Sequence, residues 1–124
     1  MDTTVNGGAR AFDVGPDESA LEVVRATGLT GAKHGCGHGA CGACTMLLDG
    51  TPVTTCLLPA TSLHGRKVHT VESLAEGDAL HPIQRAFMVE DALQCGYCTP
   101  GFVVEAAAFY DRWRAEHGAT EPSR

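Results

Sequence analysis

The spacing of apolar and polar positions changes near the middle of the chain. The first part has short β-type segments separated by glycine turns, with one hairpin predicted over residues 5–14 and another over residues 45–56 around an Asp-Gly turn. A helix is predicted over residues 20–27, where Asp17, Glu18 and Ser19 offer capping groups and Gly28 ends it. Residues 67–71 supply another strand. A strand pair, a helix packed across it and further strands favour a β-grasp arrangement within an α+β chain.

Beyond an acidic, loop-like segment at residues 71–81, the apolar period becomes helical. One helix is predicted over residues 81–94, and a second begins with Thr99 as N-cap and Pro100 at the first helical position and ends at Gly118. The apolar stripe of this second helix is too broad for a helix standing alone, so we expect further helices or a partner subunit to cover it. The stripe comprises Phe102, Ala106, Phe109 and Trp113, widened by Val103, Ala107 and Tyr110.

Composition and charge narrow the class of protein. The chain has 124 residues, with 9 Lys and Arg against 15 Asp and Glu, for a net charge of -6. The absence of a basic run argues against nucleic acid and anionic membrane surfaces as partners. The sequence has no export signal, and no apolar run approaches the roughly 20 residues needed to cross a bilayer. We therefore expect a soluble cytoplasmic protein.

Four cysteines carry the clearest chemical signal. Cys36, Cys41 and Cys44 follow a Cys-x4-Cys-x2-Cys spacing, and Cys56 comes after eleven further residues. This is the plant-type [2Fe-2S] pattern, in which four thiolates hold two irons. The turn at Asp49-Gly50 should fold the second strand back, so that Cys56 lies within a residue of being opposite Cys44.

Glycine content supports a cluster in this loop. Glycines leave no β-carbon between backbone and cluster, so backbone amides can point at sulfur and stabilise its negative charge. Zinc is the main competitor, because His34 and His38 lie close by, but structural zinc sites favour two Cys-x2-Cys knuckles. Disulfides are the other alternative, though the cysteines are clustered and no export signal precedes them. The loop glycines are Gly35, Gly37, Gly39 and Gly42.

The sequence resembles a known family in three segments. KHGCGHGACGACTMLLDG, TCL around Cys56 and QCGYCTPGF are similar to the iron-sulfur subunit of the molybdenum hydroxylases, which include xanthine dehydrogenase, aldehyde oxidoreductase and aerobic carbon monoxide dehydrogenase. The resemblance runs through nearly the whole chain. It implies a ferredoxin-like β-grasp domain over residues 1–75 and the first part of a four-helix-bundle-like domain over residues 76–124. Cys95 and Cys98 match half of the ligand set of a second [2Fe-2S] cluster in the helical domain.

The remaining half of that second ligand set is missing from the sequence. The resemblance implies a further Cys-x-Cys pair downstream, and a cluster needs four thiolates in any case. We expect the chain to be truncated, with residues 120–124 forming the cap and first turn of another helix. The alternatives are that another chain donates the two ligands or that Cys95 and Cys98 are free thiols. A redox dithiol would need an adjacent βαβ pattern, which is not visible.

The resemblance also implies a role without substrate chemistry in this chain. Single electrons would pass from a molybdopterin centre in a large subunit to FAD in a medium subunit, or to another acceptor, within an oxidoreductase complex. Gln94 would contact the pterin, and the loop of residues 36–44 would face the flavin side. Two other functions stay open at this point: an independent soluble [2Fe-2S] ferredoxin and a zinc-stabilised interaction module.

Overall fold

The N-terminal part of the chain folds into a mixed five-stranded sheet in the computed structural model, which describes residues 1–118. The strand order is β2-β1-β5-β3-β4; β1 and β5 are parallel, and all other neighbours are antiparallel. The second hairpin and the fifth strand are confirmed, and the first hairpin forms over residues 2–11 rather than 5–14. The predicted helix start at residues 120–124 lies outside the described residues. The strands are β1 (Asp2–Val5), β2 (Gly8–Ala11), β3 (Thr45–Leu48), β4 (Thr51–Thr54) and β5 (Lys67–His69).

Both hairpins turn through two residues in the left-handed region of backbone space. Asn6 and Gly7 have φ values of 51° and 85°, and Asp49 and Gly50 have φ values of 50° and 85°. Positive φ at both central residues defines a type I′ turn, whose twist matches that of the flanking strands. The predicted glycine turns therefore form because Asn, Asp and Gly tolerate this backbone conformation best.

The same two turns hold the central strand β5 at both ends. At its start, the Lys67 amide donates to Asp49 Oδ1 at 2.9 Å, and Arg66 Nε donates to Asp49 Oδ2 at 2.9 Å. At its end, the Thr70 amide donates to Asn6 Oδ1 at 2.8 Å. The Arg66 hydrogen bond, followed by that of the Lys67 amide, lowers the pKa of the Asp49 carboxyl. The turn residues thus select the register of β5 as well as reversing the chain.

Three strands end earlier than the sequence predicts. β2 stops at Ala11, and β5 stops at His69 because the next amide bonds the Asn6 side chain and the chain then enters a 3-10 turn at Val71–Ser73. β4 stops at Thr54 because the buried Thr55 turns inward, where its hydroxyl donates to the Cys44 carbonyl at 2.6 Å. At the ends of β4 and β5 a side-chain hydrogen bond replaces the ladder, whereas beyond β2 the Phe12 amide still donates to the Met1 carbonyl at 2.8 Å.

Helix α1 (Ala20–Arg25) packs its apolar face on the sheet. Ser19 caps it in a capping box with Glu22, as the polar residues before it predicted. It is shorter than predicted, because the Thr27 amide bonds the Val24 carbonyl three residues back and Gly28 has a φ of 96°. The core that it forms with the sheet comprises Ala20, Leu21, Val24, Ala32, Cys44, Met46, Leu48, Leu63 and Val68.

Helix α2 (Pro82–Val89) is also shorter than the predicted 81–94. It begins one residue later than predicted, and His81 caps it: the Ile83 amide donates to His81 Nδ1 at 3.0 Å. It ends before Asp91, whose φ of 51° breaks the helical path. Leu93, within the predicted helical range, therefore lies outside the helix and is exposed.

Helix α3 (Thr99–His117) has the predicted length but differs at its start. Cys98, rather than Thr99, occupies the N-cap position, and its side chain makes no capping hydrogen bond. Gly118 follows the last turn as predicted, with a φ of 62°. Among residues 1–118, no helix is both long and apolar enough to pass through a membrane.

The buried face of α3 matches only part of the stripe that the sequence predicts: Val103 and Ala107 are buried, whereas the large members are not. Phe102 and Phe109 are 55% and 53% exposed, because the helix turns its small residues toward the sheet. The backbones approach so closely at Gly101 that a β-carbon there would overlap the Gly42 carbonyl oxygen. Close approach selects small side chains for this face and leaves Phe102 and Phe109 outside. The residues buried on α3 are Gly101, Val103, Val104 and Ala107.

Candidate metal centre

Two glycines of the loop between α1 and β3 bring the backbone close to cysteine sulfurs. Gly35 lies beside the Cys41 sulfur, and the Gly39 amide bonds the Cys56 sulfur. A β-carbon on Gly35 would lie 2.7 Å from Cys41 Sγ, so a larger residue cannot occupy this position without moving the sulfur. Gly39 has a φ of 81°, and a β-carbon there would lie 2.9 Å from Leu57 Cδ1. The expected role of glycine, to bring backbone close to sulfur, is confirmed at these two positions.

Backbone amides converge on the first cysteine sulfur. Cys36 Sγ accepts hydrogen bonds from the amides of His38, Ala40 and Cys41, at 3.4, 3.3 and 3.3 Å. The His38 and Cys41 amides are the main reason that the pKa of the Cys36 thiol falls to about 6. Cys41 Sγ in turn accepts from the Ala43 amide at 3.4 Å. Cys36 is therefore largely a thiolate at neutral pH, which is the form that binds metals.

The other two cysteines lie where the β3–β4 hairpin begins and ends. Thr45 pairs with Thr54, so Cys56 falls within one residue of the position opposite Cys44, as predicted. Burial raises the pKa of the Cys56 thiol, and so does its hydrogen bond with the Cys44 sulfur. The Gly39 amide acts in the opposite direction by bonding the same Cys56 sulfur. The Cys44 and Cys56 sulfurs are therefore direct neighbours.

The donor set in this loop fits a [2Fe-2S] cluster. All of the cysteines are free of disulfides, and the sulfurs of Cys36, Cys41 and Cys56 each meet at least one backbone amide. Soft thiolates stabilised by amides are the usual environment of iron-sulfur centres. His38 Nδ1 lies 3.0 Å from the Cys36 carbonyl oxygen, so that ring nitrogen is engaged by backbone. Over residues 1–118, no three His, Cys, Asp or Glu side chains are grouped around a single-ion position.

The second cysteine motif lies in the loop that precedes α3. Gln94, Cys95 and Cys98 are all exposed, and no hydrogen bond within residues 1–118 reaches either sulfur. The motif nevertheless contacts the first loop, because the Tyr97 hydroxyl donates to the His34 carbonyl at 2.6 Å. The structure thus places the two cysteine motifs side by side.

Sequence reasoning missed the residues that join the two motifs. Tyr97 and Gly101 both belong to the motif QCGYCTPGF, but the sequence alone assigns neither of them a role. A glycine in the first turn after Pro100 was an available signal, since glycine costs helix stability unless a close contact requires it. Nothing in the sequence indicated that Tyr97 would reach His34.

A β-grasp sheet with a glycine-rich cysteine loop, followed by helices, defines a ferredoxin-like [2Fe-2S] protein. Two family models match the chain accordingly. The model described as a 2Fe-2S iron-sulfur cluster binding domain matches residues 3–75, and the model described as a [2Fe-2S] binding domain matches residues 70–122.

Curated relatives are similar to this chain in sequence. The beta subunit of the 6-hydroxypseudooxynicotine dehydrogenase complex of Paenarthrobacter nicotinovorans is 44% identical over 108 residues, covering 86% of this chain and 68% of that protein. The nicotine 6-hydroxylase small subunit of the same organism is 48% identical over 107 residues, covering 86% of this chain and 64% of that protein. The chain thus spans about two thirds of the length of these relatives.

A solved structure also resembles this chain. Quinoline 2-oxidoreductase from Pseudomonas putida 86 contains a chain that superposes with a TM-score of 0.84 at 36% identity, covering 99% of this chain and 82% of that one. The chain belongs to the iron-sulfur subunits of the molybdenum hydroxylase family. The resemblance inferred from the sequence is confirmed, and the independent ferredoxin and the zinc module are not favoured.

Proposed function

We propose that this chain relays single electrons within a molybdenum-containing hydroxylase or dehydrogenase, using a [2Fe-2S] cluster held by Cys36, Cys41, Cys44 and Cys56. The observation that carries the proposal is the set of three amides on Cys36 Sγ, which stabilises a thiolate before any metal arrives. A [2Fe-2S] cluster, when bound, would accept and donate one electron at a time. The loop residues supply the ligands, and their backbone amides stabilise the negative charge of the sulfurs.

A second cluster would be held in part by Cys95 and Cys98. Six cysteines in the sequence allow four ligands at the first site and two at this one, so the other two thiolates would come from outside residues 1–124. Gln94, next to Cys95, would contact the pterin. The proposed domain boundary lies near residue 75, between the β-grasp part and the helical part.

The proposed partners are a molybdopterin-binding large subunit and an FAD-binding medium subunit. Relatives named as a beta subunit and a small subunit of dehydrogenase and hydroxylase enzymes support an assembly of several chains. Exposed apolar side chains near both motifs support partner subunits that cover these surfaces in the complex. Leu57 follows Cys56 and is 59% exposed, and the exposed Phe102 follows Cys98 by four residues. Substrate chemistry would belong to the large subunit.

The first cluster is tested by replacing one ligand. We expect Cys36→Ser to lose the acid-labile sulfide of the first site and the EPR signal of that site after dithionite reduction, because the first cluster then lacks one of its four thiolate ligands. Cys95→Ser is the matched control and should retain that signal. An unchanged sulfide content and EPR spectrum in Cys36→Ser would contradict the proposed ligand set, and zinc in the wild-type protein without iron would contradict the function.

A further inference from the structure

Tyr97 connects the two cysteine motifs directly. Its hydroxyl donates to the His34 carbonyl at 2.6 Å, across 63 positions of sequence. His34 lies two residues before Cys36, and Tyr97 lies between Cys95 and Cys98. A single hydrogen bond therefore joins the backbone next to one set of proposed ligands to the residue between the other two.

A cation strengthens the same contact. Lys33 Nζ lies 5.5 Å from the centroid of the Tyr97 ring, within the range of a cation–π interaction. Lys33 is itself held in place, because its amide donates to the Ala43 carbonyl at 2.9 Å and its ammonium donates to the Gly31 carbonyl at 3.0 Å. The ring of Tyr97 thus meets an ordered partner on the first loop.

A second contact lies on the other side of Cys98. Gly101, three residues after that cysteine, packs against the Gly42 carbonyl oxygen so closely that a β-carbon would not fit. Gly42 lies between Cys41 and Cys44 in the first loop. The segment that contains Cys98 is therefore attached to the first loop both before and after the cysteine.

We propose that Tyr97 is a positioning residue that fixes the segment of residues 94–98 against the loop of residues 34–44. The proposal rests on the proposed function, in which both segments bind clusters. Its consequence is that the spacing of the two sites is set inside this chain, by the Tyr97 hydroxyl, before any other subunit binds. An electron relay needs such a fixed spacing, because a site left to a mobile loop is positioned poorly.

The test compares Tyr97→Phe with Tyr110→Phe in the full chain. Phenylalanine keeps the ring and removes only the hydroxyl, and the Tyr110 hydroxyl makes no hydrogen bond within the described part of the chain. Loss of one net hydrogen bond should speed amide hydrogen exchange about fivefold in Tyr97→Phe for the loop of residues 34–44, where the amides of His38, Ala40, Cys41 and Ala43 are hydrogen-bonded to cysteine sulfurs. Tyr110→Phe should leave exchange in that loop unchanged.

The midpoint potential of the first cluster shows whether Tyr97 positions the cluster loop or only makes a structural contact. We expect it to fall in Tyr97→Phe, because a released His34 carbonyl loosens the loop whose amides stabilise the reduced cluster. Equal exchange in the two variants would overturn the proposal, and so would faster exchange with an unchanged potential. If the wild-type protein holds no iron, the proposed function fails, and the exchange comparison alone decides whether Tyr97 fixes the segment.

Discussion

Single residues in this chain act mainly through the space that they leave or the amide that they present. Gly35 leaves room for the Cys41 sulfur, and the amides of His38 and Cys41 lower the pKa of Cys36. Gly101 has the same kind of role in a helix, where glycine is otherwise unfavourable. It allows α3 to approach the backbone of the cysteine loop at Gly42.

Gly101→Ala should therefore destabilise the protein, against the usual trend for a helical glycine. Helix propensity alone would favour alanine by about 1 kcal/mol, but overlap with the Gly42 carbonyl should cost about 1 to 3 kcal/mol through backbone shifts. We expect a lower midpoint of thermal unfolding. Gly15→Ala is the control, because a β-carbon there lies 4.0 Å from the nearest Glu18 atoms. A higher midpoint in Gly101→Ala would show that the helix can move away freely.

At the scale of elements, the two hairpin turns organise the sheet. The first residue of each turn uses its side chain to bind one end of β5, the central strand. Such turns are strong local signals, which explains why both hairpins could be predicted from the sequence. The strand ends could not, because they depend on hydrogen bonds such as that of Thr55 with the Cys44 carbonyl.

The charge of Asp49 makes the stability of the folded protein depend on pH. Its pKa is lowered in the folded state, so its contribution to stability is present above the ordinary pKa of about 3.9 and is lost as the pH falls through the lower folded value. Asp49→Asn tolerates the same turn but carries no charge. We expect the variant to be less stable at pH 7, and the difference should shrink below about pH 4.

Urea unfolding of both proteins at several pH values would measure this difference. Asp13→Asn is a suitable control, since the exposed Asp13 carboxylate makes no hydrogen bond within the described residues. Added salt should also reduce the difference, because both Asp49 and Arg66 are close to solvent. A difference that stays constant from pH 7 to pH 3 would contradict the assigned role of the carboxylate.

At the scale of the whole molecule, the helical part leaves much apolar surface uncovered. A groove of about 650 Å³ runs along α3, lined mainly by that helix and also by Phe87 of α2 and Pro52 of β4; Phe102 and Phe109 are among its lining residues. Helix α3 buries only glycine, alanine and valine side chains, whereas Phe102 and Phe109 are more than half exposed. Large apolar patches on a folded surface usually mark interfaces.

Purification from the host tests whether this surface belongs to a complex. We expect molybdopterin and FAD to copurify with the chain. A double variant, Phe102→Asp with Phe109→Asp, should reduce their recovery several-fold and leave the EPR signal of the first cluster unchanged. Glu116→Ala, on the exposed end of the same helix, is the control. A monomeric iron-containing protein without pterin or flavin would instead favour the independent ferredoxin.

The sequence by itself determined the features that depend on near neighbours. The spacing of Cys36, Cys41 and Cys44, the turns at Asn6 and Asp49 and the start of α1 are local, because each involves only a few consecutive residues. Tertiary structure decided which face of α3 is buried, where the strands end and how Tyr97 meets His34. Those features depend on distances between residues far apart in the chain, and only the packing of helices against the sheet sets such distances.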